Sequence, residues 1–285
     1  MGSSTKQSMM LMVYTVFFLW VSGTLFAGGV TLCPKCGNTI VPYPLSTANG
    51  CGLPDYKIRC NSIKQLEMVA LNGSSYRILS INPGDMRMVI QPSDLMNNSC
   101  QTQDMKADGL QLNPSLPFNI TSTNTVMYLN CNPILLRSPL NCSDSSPCHQ
   151  FIDQAEEAKA CRNTSLCCSF KAGGSSTSYR VRVWRGGCRG YTSVLNYNPG
   201  LPLNQWKYGV EIMWAAPREP SCATQADCDQ NSSCLPDPLN SAMSRCLCVN
   251  DYVWDPVQGV CVKNVPICTD PEGCGDNNNR GPLIG

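Results

Sequence analysis

The sequence predicts a mainly β, disulfide-rich protein. It should fold as small β modules, a sandwich or a meander, with one short helix, followed by a separate six-cysteine module. Three observations predict this. All 20 cysteines follow an apolar N-terminal stretch and their number is even, which marks a disulfide framework in a secreted chain. Short β-branched runs alternate with Gly, Asn, Asp and Pro clusters. Only one segment carries apolar residues at helical spacing.

The elements follow in order. Lys6 is the only charged side chain before Cys33, and "MMLMVYTVFFLWV" runs from Met9 to Val21. Small residues come next, so residues 1–27 read as a signal peptide cleaved near Ala27. A signal anchor is the alternative, but the stretch is short of the roughly 20 apolar residues a span needs. Strands are expected in "YKIRC", "EMVALN", "YRILSIN" and "MRMVIQP", from Tyr56 to Pro92. Their separators "NGSS" and "NPGD" have turn chemistry, so the four should form an antiparallel meander. Later strands are expected in "NTVMYLNC", "LCCSFKA", "SYRVRVWR" and "YGVEIMWA". Between them lies the helix, with Ser146 as cap, Pro147 in the first turn, and Phe151, Ile152, Ala155 and Ala158 on one face.

Cys33 and Cys36 have the spacing of a zinc knuckle or a redox pair. A redox pair should open a helix, and here Pro34 and Gly37 punctuate a strand-and-turn segment. Both cysteines therefore read as structural pins with different partners, and no metal is expected. Vicinal Cys167 and Cys168 should also bond to different partners. Residues 28–217 hold 12 cysteines, 218–264 six and the tail two, Cys268 and Cys274, so each block can close on itself.

From Cys222 to Cys261 the spacing is C-x5-C-x5-C-x11-C-x-C-x12-C, which closely resembles an EGF-like domain. The resemblance implies the pairs Cys222–Cys234, Cys228–Cys246 and Cys248–Cys261. Calcium-binding members carry acidic residues before the first cysteine. Here "APREPS" offers only Glu219, so no calcium is expected in this module.

"CPKCGNTIVPYPLSTANGCGLPDYKIRCN" resembles the galacturonan-binding domain of plant wall-associated receptor kinases. The pattern is C-x-x-C-G, a "PYP" hairpin, "CG", and a strand ending in Cys60. "PYPLS" stands where that family more often has "PYPFG", a departure that resembles its receptor kinase-like branch. The resemblance implies a galacturonan-binding-like domain over 28–135, a second Cys-rich segment over 136–217, the EGF-like module over 218–264 and a juxtamembrane-like tail over 265–285. It also implies an extracellular ectodomain at the cell wall that binds acidic pectin. Membrane attachment would come only through a span beyond "NNNRGPLIG". The chain is either a truncated secreted form or a fragment of a longer receptor, on the plasma membrane in the latter case.

Catalysis has little support. His149 has no obvious nucleophile partner, adjacent Glu156 and Glu157 would diverge on a helix, and no kinase or hydrolase motif occurs. No enzyme activity, cofactor or nucleic acid is expected. Charge says more. Residues 28–217 carry 16 Lys and Arg against 11 Asp and Glu, whereas 218–285 carry 4 against 9. A basic first block suits a polycarboxylate.

The densest basic stretch is "YRVRVWRGGCRGY", Tyr179 to Tyr191. As a strand it would place Arg180, Arg182 and Trp184 on one face and Val181 and Val183 on the other. The arginines, joined by Arg185 and Arg189, could grip successive carboxylates, and Trp184 could stack on a sugar. A solvated strand face is the plainer reading. Lys57 and Arg59 form a second basic pair, and Tyr43 and Tyr56 are either a sugar platform or packed residues. A protein- or peptide-binding module, with other receptor ectodomains as partners, is the rival function. Six sequons start at Asn72, Asn97, Asn119, Asn141, Asn163 and Asn231, each a glycosylation site if exposed.

Overall fold

A computed structural model of the chain describes residues 30–135, 140–164, 166–172 and 179–265. The expected signal segment, the tail cysteines Cys268 and Cys274, and residues 173–178 before the basic stretch lie outside the described residues. The chain forms two compact units. One comprises Val30–Arg218 with Pro256–Gly259; the other comprises Glu219–Asp255 and the segment from Val260.

The strands of the first unit are β1 (Arg59–Cys60), β2 (Leu66–Val69), β3 (Ser75–Asn82), β4 (Arg87–Ile90), β5 (Leu110–Gln111), β6 (Phe118–Ile120), β7 (Asn124–Leu129), β8 (Cys168–Lys171), β9 (Arg180–Val181), β10 (Gly190–Leu195), β11 (Lys207–Tyr208) and β12 (Val210–Trp214). A six-stranded sheet has the order β1-β2-β3-β4-β12-β6, and a four-stranded sheet the order β11-β10-β7-β8. The expected meander is thus present, with antiparallel pairing throughout. β12 shows why the sheets stack. Val210, Ile212 and Trp214 are buried while Glu211 and Met213 point away, the period of two of a half-buried strand. Those apolar faces meet Val126 and Tyr191 of the second sheet in one core, so the unit is a β-sandwich.

The other face of the second sheet is covered by helix α1 (Pro147–Gln154). Met127, Leu129 and Val194 share a second core with Phe151, Ile152, Ala155 and Ala158. The expected apolar face is therefore buried, but the helix is shorter than its pattern. Ala155 turns extended (ψ 131°), and a 3-10 helix takes over at Glu156–Cys161.

Six disulfides pin this unit: Cys33–Cys51, Cys36–Cys60, Cys100–Cys161, Cys131–Cys188, Cys142–Cys168 and Cys148–Cys167. Cys33 and Cys36 have different partners, as do Cys167 and Cys168. Residues on both sides of 135/136 fall within this one unit. Cys100–Cys161 and Cys131–Cys188 cross that expected boundary, and β12 pairs with both β4 and β6, so residues on its two sides share sheets and cores. Two motif glycines have steric reasons. Gly37 and Gly52 both adopt φ +59°, and a Cβ would lie 2.9 Å from the Lys64 carbonyl oxygen at the first and 2.3 Å from that of Leu45 at the second.

The second unit contains two hairpins, β13 (Ser232–Asp237) with β14 (Asn240–Cys248) and β15 (Tyr252–Asp255) with β16 (Val260–Lys263). Its bonds are Cys222–Cys234, Cys228–Cys246 and Cys248–Cys261, the order one–three, two–four, five–six. Among the described residues, no helix is long and apolar enough to cross a membrane.

Candidate functional site

The basic stretch is not the long strand its alternation suggests. Only Arg180–Val181 is strand, paired with Leu110–Gln111. The alternation nevertheless persists. Val181 and Val183 are 2% and 0% exposed, while Arg180 and Arg182 face solvent. The chain then turns at Trp184–Gly187, where the Gly187 N–H donates to the Trp184 carbonyl at 3.0 Å and the Trp184 N–H to that of Cys188 at 3.0 Å. This turn is what ends the strand.

The turn is held from several sides. Cys188 is bonded to Cys131. The Arg189 N–H donates to the Leu129 carbonyl at 3.1 Å, and the Thr102 N–H to the Arg189 carbonyl at 3.1 Å. On the other flank, Leu71 donates its N–H to the Gln111 carbonyl at 2.7 Å, which joins the β5–β9 ribbon to the β2–β3 turn of the first sheet. The loop is thus a fixed display of cations.

Trp184 does something other than expected. The Arg182 guanidinium lies 4.8 Å from the centre of its ring, a cation–π arrangement. The ring also covers Gly187, where a Cβ would come within 2.4 Å of it. Trp184 is therefore a platform for Arg182, not an open sugar platform. It holds the guanidinium plane while its N–H edges remain able to meet a carboxylate. Arg185 is exposed and Arg189 half-buried. Among the described residues, none of Arg180, Arg182, Arg185 and Arg189 is in an ion pair.

The second basic pair is engaged differently from the first. Lys57 and Arg59 do share an exposed side, with Ile58 buried between them. Arg59, however, donates to Glu67 (Nε–Oε2 2.9 Å) directly across the β1–β2 pair, and also to Ser75 Oγ. Burial alone would raise the Glu67 carboxyl, but hydrogen bonds from Asn61 and Arg59 hold it below the usual range. Arg59 is therefore already occupied. Tyr43 and Tyr56 are 2% and 7% exposed, so neither offers a ring face to a sugar. Tyr56 packs edge-on against Phe118 and donates its hydroxyl to the Ala215 carbonyl at 2.9 Å. Among the sequons, Asn72, Asn97, Asn141 and Asn163 are exposed, whereas Asn119 and Asn231 are half-buried. The Asn72 amide is engaged, donating to the Ala107 and Gly109 carbonyls at 2.6 and 2.9 Å.

Sequence reasoning missed one polar node. Glu211 on β12 accepts hydrogen bonds from Thr121 (2.9 Å), Thr123 (2.8 Å) and Arg87 (3.1 Å). Beside it, fully buried Asn124 donates to the Thr121 and Glu211 carbonyls, each at 2.9 Å, and accepts from the Glu211 N–H at 2.8 Å. This network joins the two sheets and neutralises Arg87.

Residues 33–92 match the family described as wall-associated receptor kinase galacturonan-binding. The chain is 43% identical over 244 residues to wall-associated receptor kinase-like 20 of Arabidopsis thaliana, covering 82% of this chain and 37% of that protein. It is 40% identical over 262 residues to wall-associated receptor kinase-like 15 of the same plant, covering 89% of this chain and 40% of that protein. The chain thus spans about two fifths of the length of these relatives. No solved structure matches it. Residues 33–92 thus carry the galacturonan-binding family's pattern, and over most of its length the chain is similar to wall-associated receptor kinase-like proteins.

Proposed function

We propose that this chain is an extracellular ectodomain of the plant cell wall that binds acidic pectin, with de-esterified homogalacturonan meeting Arg180, Arg182 and Arg185. The observation that carries the reading is the set of unpaired arginines on a disulfide-pinned loop. The galacturonan-binding match at 33–92 supports the ligand class, and the loop is tied to that segment through the Leu71–Gln111 hydrogen bond. Lys57 is a further contact within the matched segment. The second unit is an EGF-like module, serving as a spacer or a protein contact. Residues 1–27 act as a signal peptide, and the exposed sequons carry glycans.

Calorimetric titration with oligogalacturonides of graded length tests this. Wild type should bind, and high salt should weaken binding because exposed charge pairs are screened. Exposed ion pairs contribute about 0.2–1 kcal/mol each, so Arg180→Ala/Arg182→Ala should bind about 2–30-fold more weakly. Binding unchanged in that variant would move the site towards Lys57. No binding at low salt would leave recognition of a protein or peptide as the better account.

A further inference from the structure

A cleft of about 970 Å³ opens in the first unit at one end of the second sheet and shares none of the arginines proposed to meet pectin. Its origin is in the layering. Helix α1 covers the β7–β8 face over Met127 and Leu129, but the face continues to Thr125 and Lys171, which are direct cross-strand partners. Ser145 and Pro147 at the start of the helix form one wall, and the loop of Asn196 and Tyr197 forms another.

The walls are fixed. Asn141 and Ser169 exchange backbone hydrogen bonds at 2.8 and 2.7 Å, and the Asn196 N–H donates to the Thr123 carbonyl at 2.9 Å. Tyr197 is set by an edge contact with Trp206, ring centres 5.1 Å apart. Within these walls the side chains of Thr125, Ser169, Lys171, Asn196 and Tyr197 have no hydrogen-bond or ionic partner among the described residues. Ser169 is only 6% exposed, so its hydroxyl is nearly enclosed yet uncommitted. Among the described residues, no carboxylate lines the cleft, and Lys171 is its one cation.

We propose that this cleft is a second saccharide-binding site, for an oligosaccharide whose sugars are mainly uncharged. Hydroxyl and amide groups can both donate and accept, which suits sugar hydroxyls. Tyr197, Pro147 and Pro199 supply the apolar surface for ring C–H faces. A volume of this order is at the upper end of ligand-sized clefts and accommodates several sugar rings. A polycarboxylate would find only one counter-charge here, whereas the arginine loop offers several. The two sites therefore divide wall polysaccharide by charge density. The cleft reading does not depend on the arginine reading. Asn141 lines the cleft and begins a sequon, so a glycan there would narrow its mouth.

The test is titration and saturation-transfer NMR with fully methyl-esterified trigalacturonate and a form carrying one free carboxylate. Both are run on wild type and on Asn141→Gln. Both probes should bind Asn141→Gln at least as tightly as wild type, with little change at high salt. The singly charged probe should bind more tightly, and Lys171→Ala should remove that preference. Exposed Ser122→Trp, which fills the cleft without touching the core, should weaken binding at least tenfold, as should Thr125→Val by several-fold. Arg180→Ala/Arg182→Ala should leave these affinities unchanged while weakening the de-esterified ligand. Failure of both probes to bind wild type and Asn141→Gln would overturn the proposal. So would binding that persists in Ser122→Trp, or that is lost in Arg180→Ala/Arg182→Ala.

Discussion

Arg59 and Arg182 look alike in sequence, each in a short alternating run, yet their surroundings separate them. Arg59 faces Glu67 across a two-residue strand pair, while Arg182 rests on Trp184 with no ion-pair partner among the described residues. Only strand register makes the difference. Arg59→Ala should therefore change oligogalacturonide affinity little in the same titration that weakens with Arg180→Ala/Arg182→Ala. The other residue-scale consequence concerns Asn124. It is 0% exposed and bonds both strands at the sheet–sheet junction. Removing a buried, multiply bonded partner costs about 1–3 kcal/mol for each group left unsatisfied. Asn124→Ala should lower stability to denaturant by roughly 2–4 kcal/mol, with the midpoint falling and the slope unchanged.

At the scale of elements, the basic loop depends on how closely it turns. Gly187 has no side chain because the Trp184 ring occupies that space. Gly187→Val should displace the indole and release Arg182 from its platform. Oligogalacturonide affinity should fall while the thermal midpoint shifts less, since Cys131–Cys188 still closes the loop. An unchanged affinity would show that the Arg182–Trp184 pair does not organise the site. The helix shows the opposite balance. Phe151, Ile152, Ala155 and Ala158 are legible as one buried face, and all four are buried. What the pattern does not show is that the chain leaves α geometry at Ala155 and regains the same face through a 3-10 segment. Burial decides which residues point inward, and it tolerates more than one backbone path.

At the scale of the molecule, a buried tyrosine cluster makes a pH prediction. Tyr76 and Tyr191 donate to Asp104 Oδ2 at 2.6 and 3.1 Å. Burial first, and then the Asp104 charge, push both phenols well above their ordinary value. Burial also raises Tyr128 and Tyr208 to about 12. Above about pH 10 the unfolded tyrosines lose protons that the native ones retain. The unfolded state then binds fewer protons, so stability must fall as pH rises. Denaturant midpoints should be flat up to about pH 9 and drop above pH 10. Tyrosinate absorbance should then rise together with unfolding. An early, independent absorbance rise for all tyrosines would contradict the burial. The disulfides act at the same scale. Cys100–Cys161 closes 61 residues, and a Cys100→Ser/Cys161→Ser variant should lose about 2–5 kcal/mol by denaturant titration.

The sequence by itself determined the mainly β class, the meander, the helix face and the need for different partners at Cys33 and Cys36. These follow from local chemistry: turn residues, period-two and helical patterning, and cysteine spacing. It also determined which side of the basic stretch faces water, because Val181 and Val183 must be buried wherever that segment packs. The tertiary structure alone decided that residues on either side of 135 form one sandwich, because β12 returns some 120 residues later to pair with β4. It decided that Arg59 and Arg87 are spent on Glu67 and Glu211 while the Arg180–Arg189 loop keeps its charge. And it assembled the polar cleft from four separated segments, whose serines, threonines and asparagines are indistinguishable from ordinary loop residues until the sheet outruns its helix.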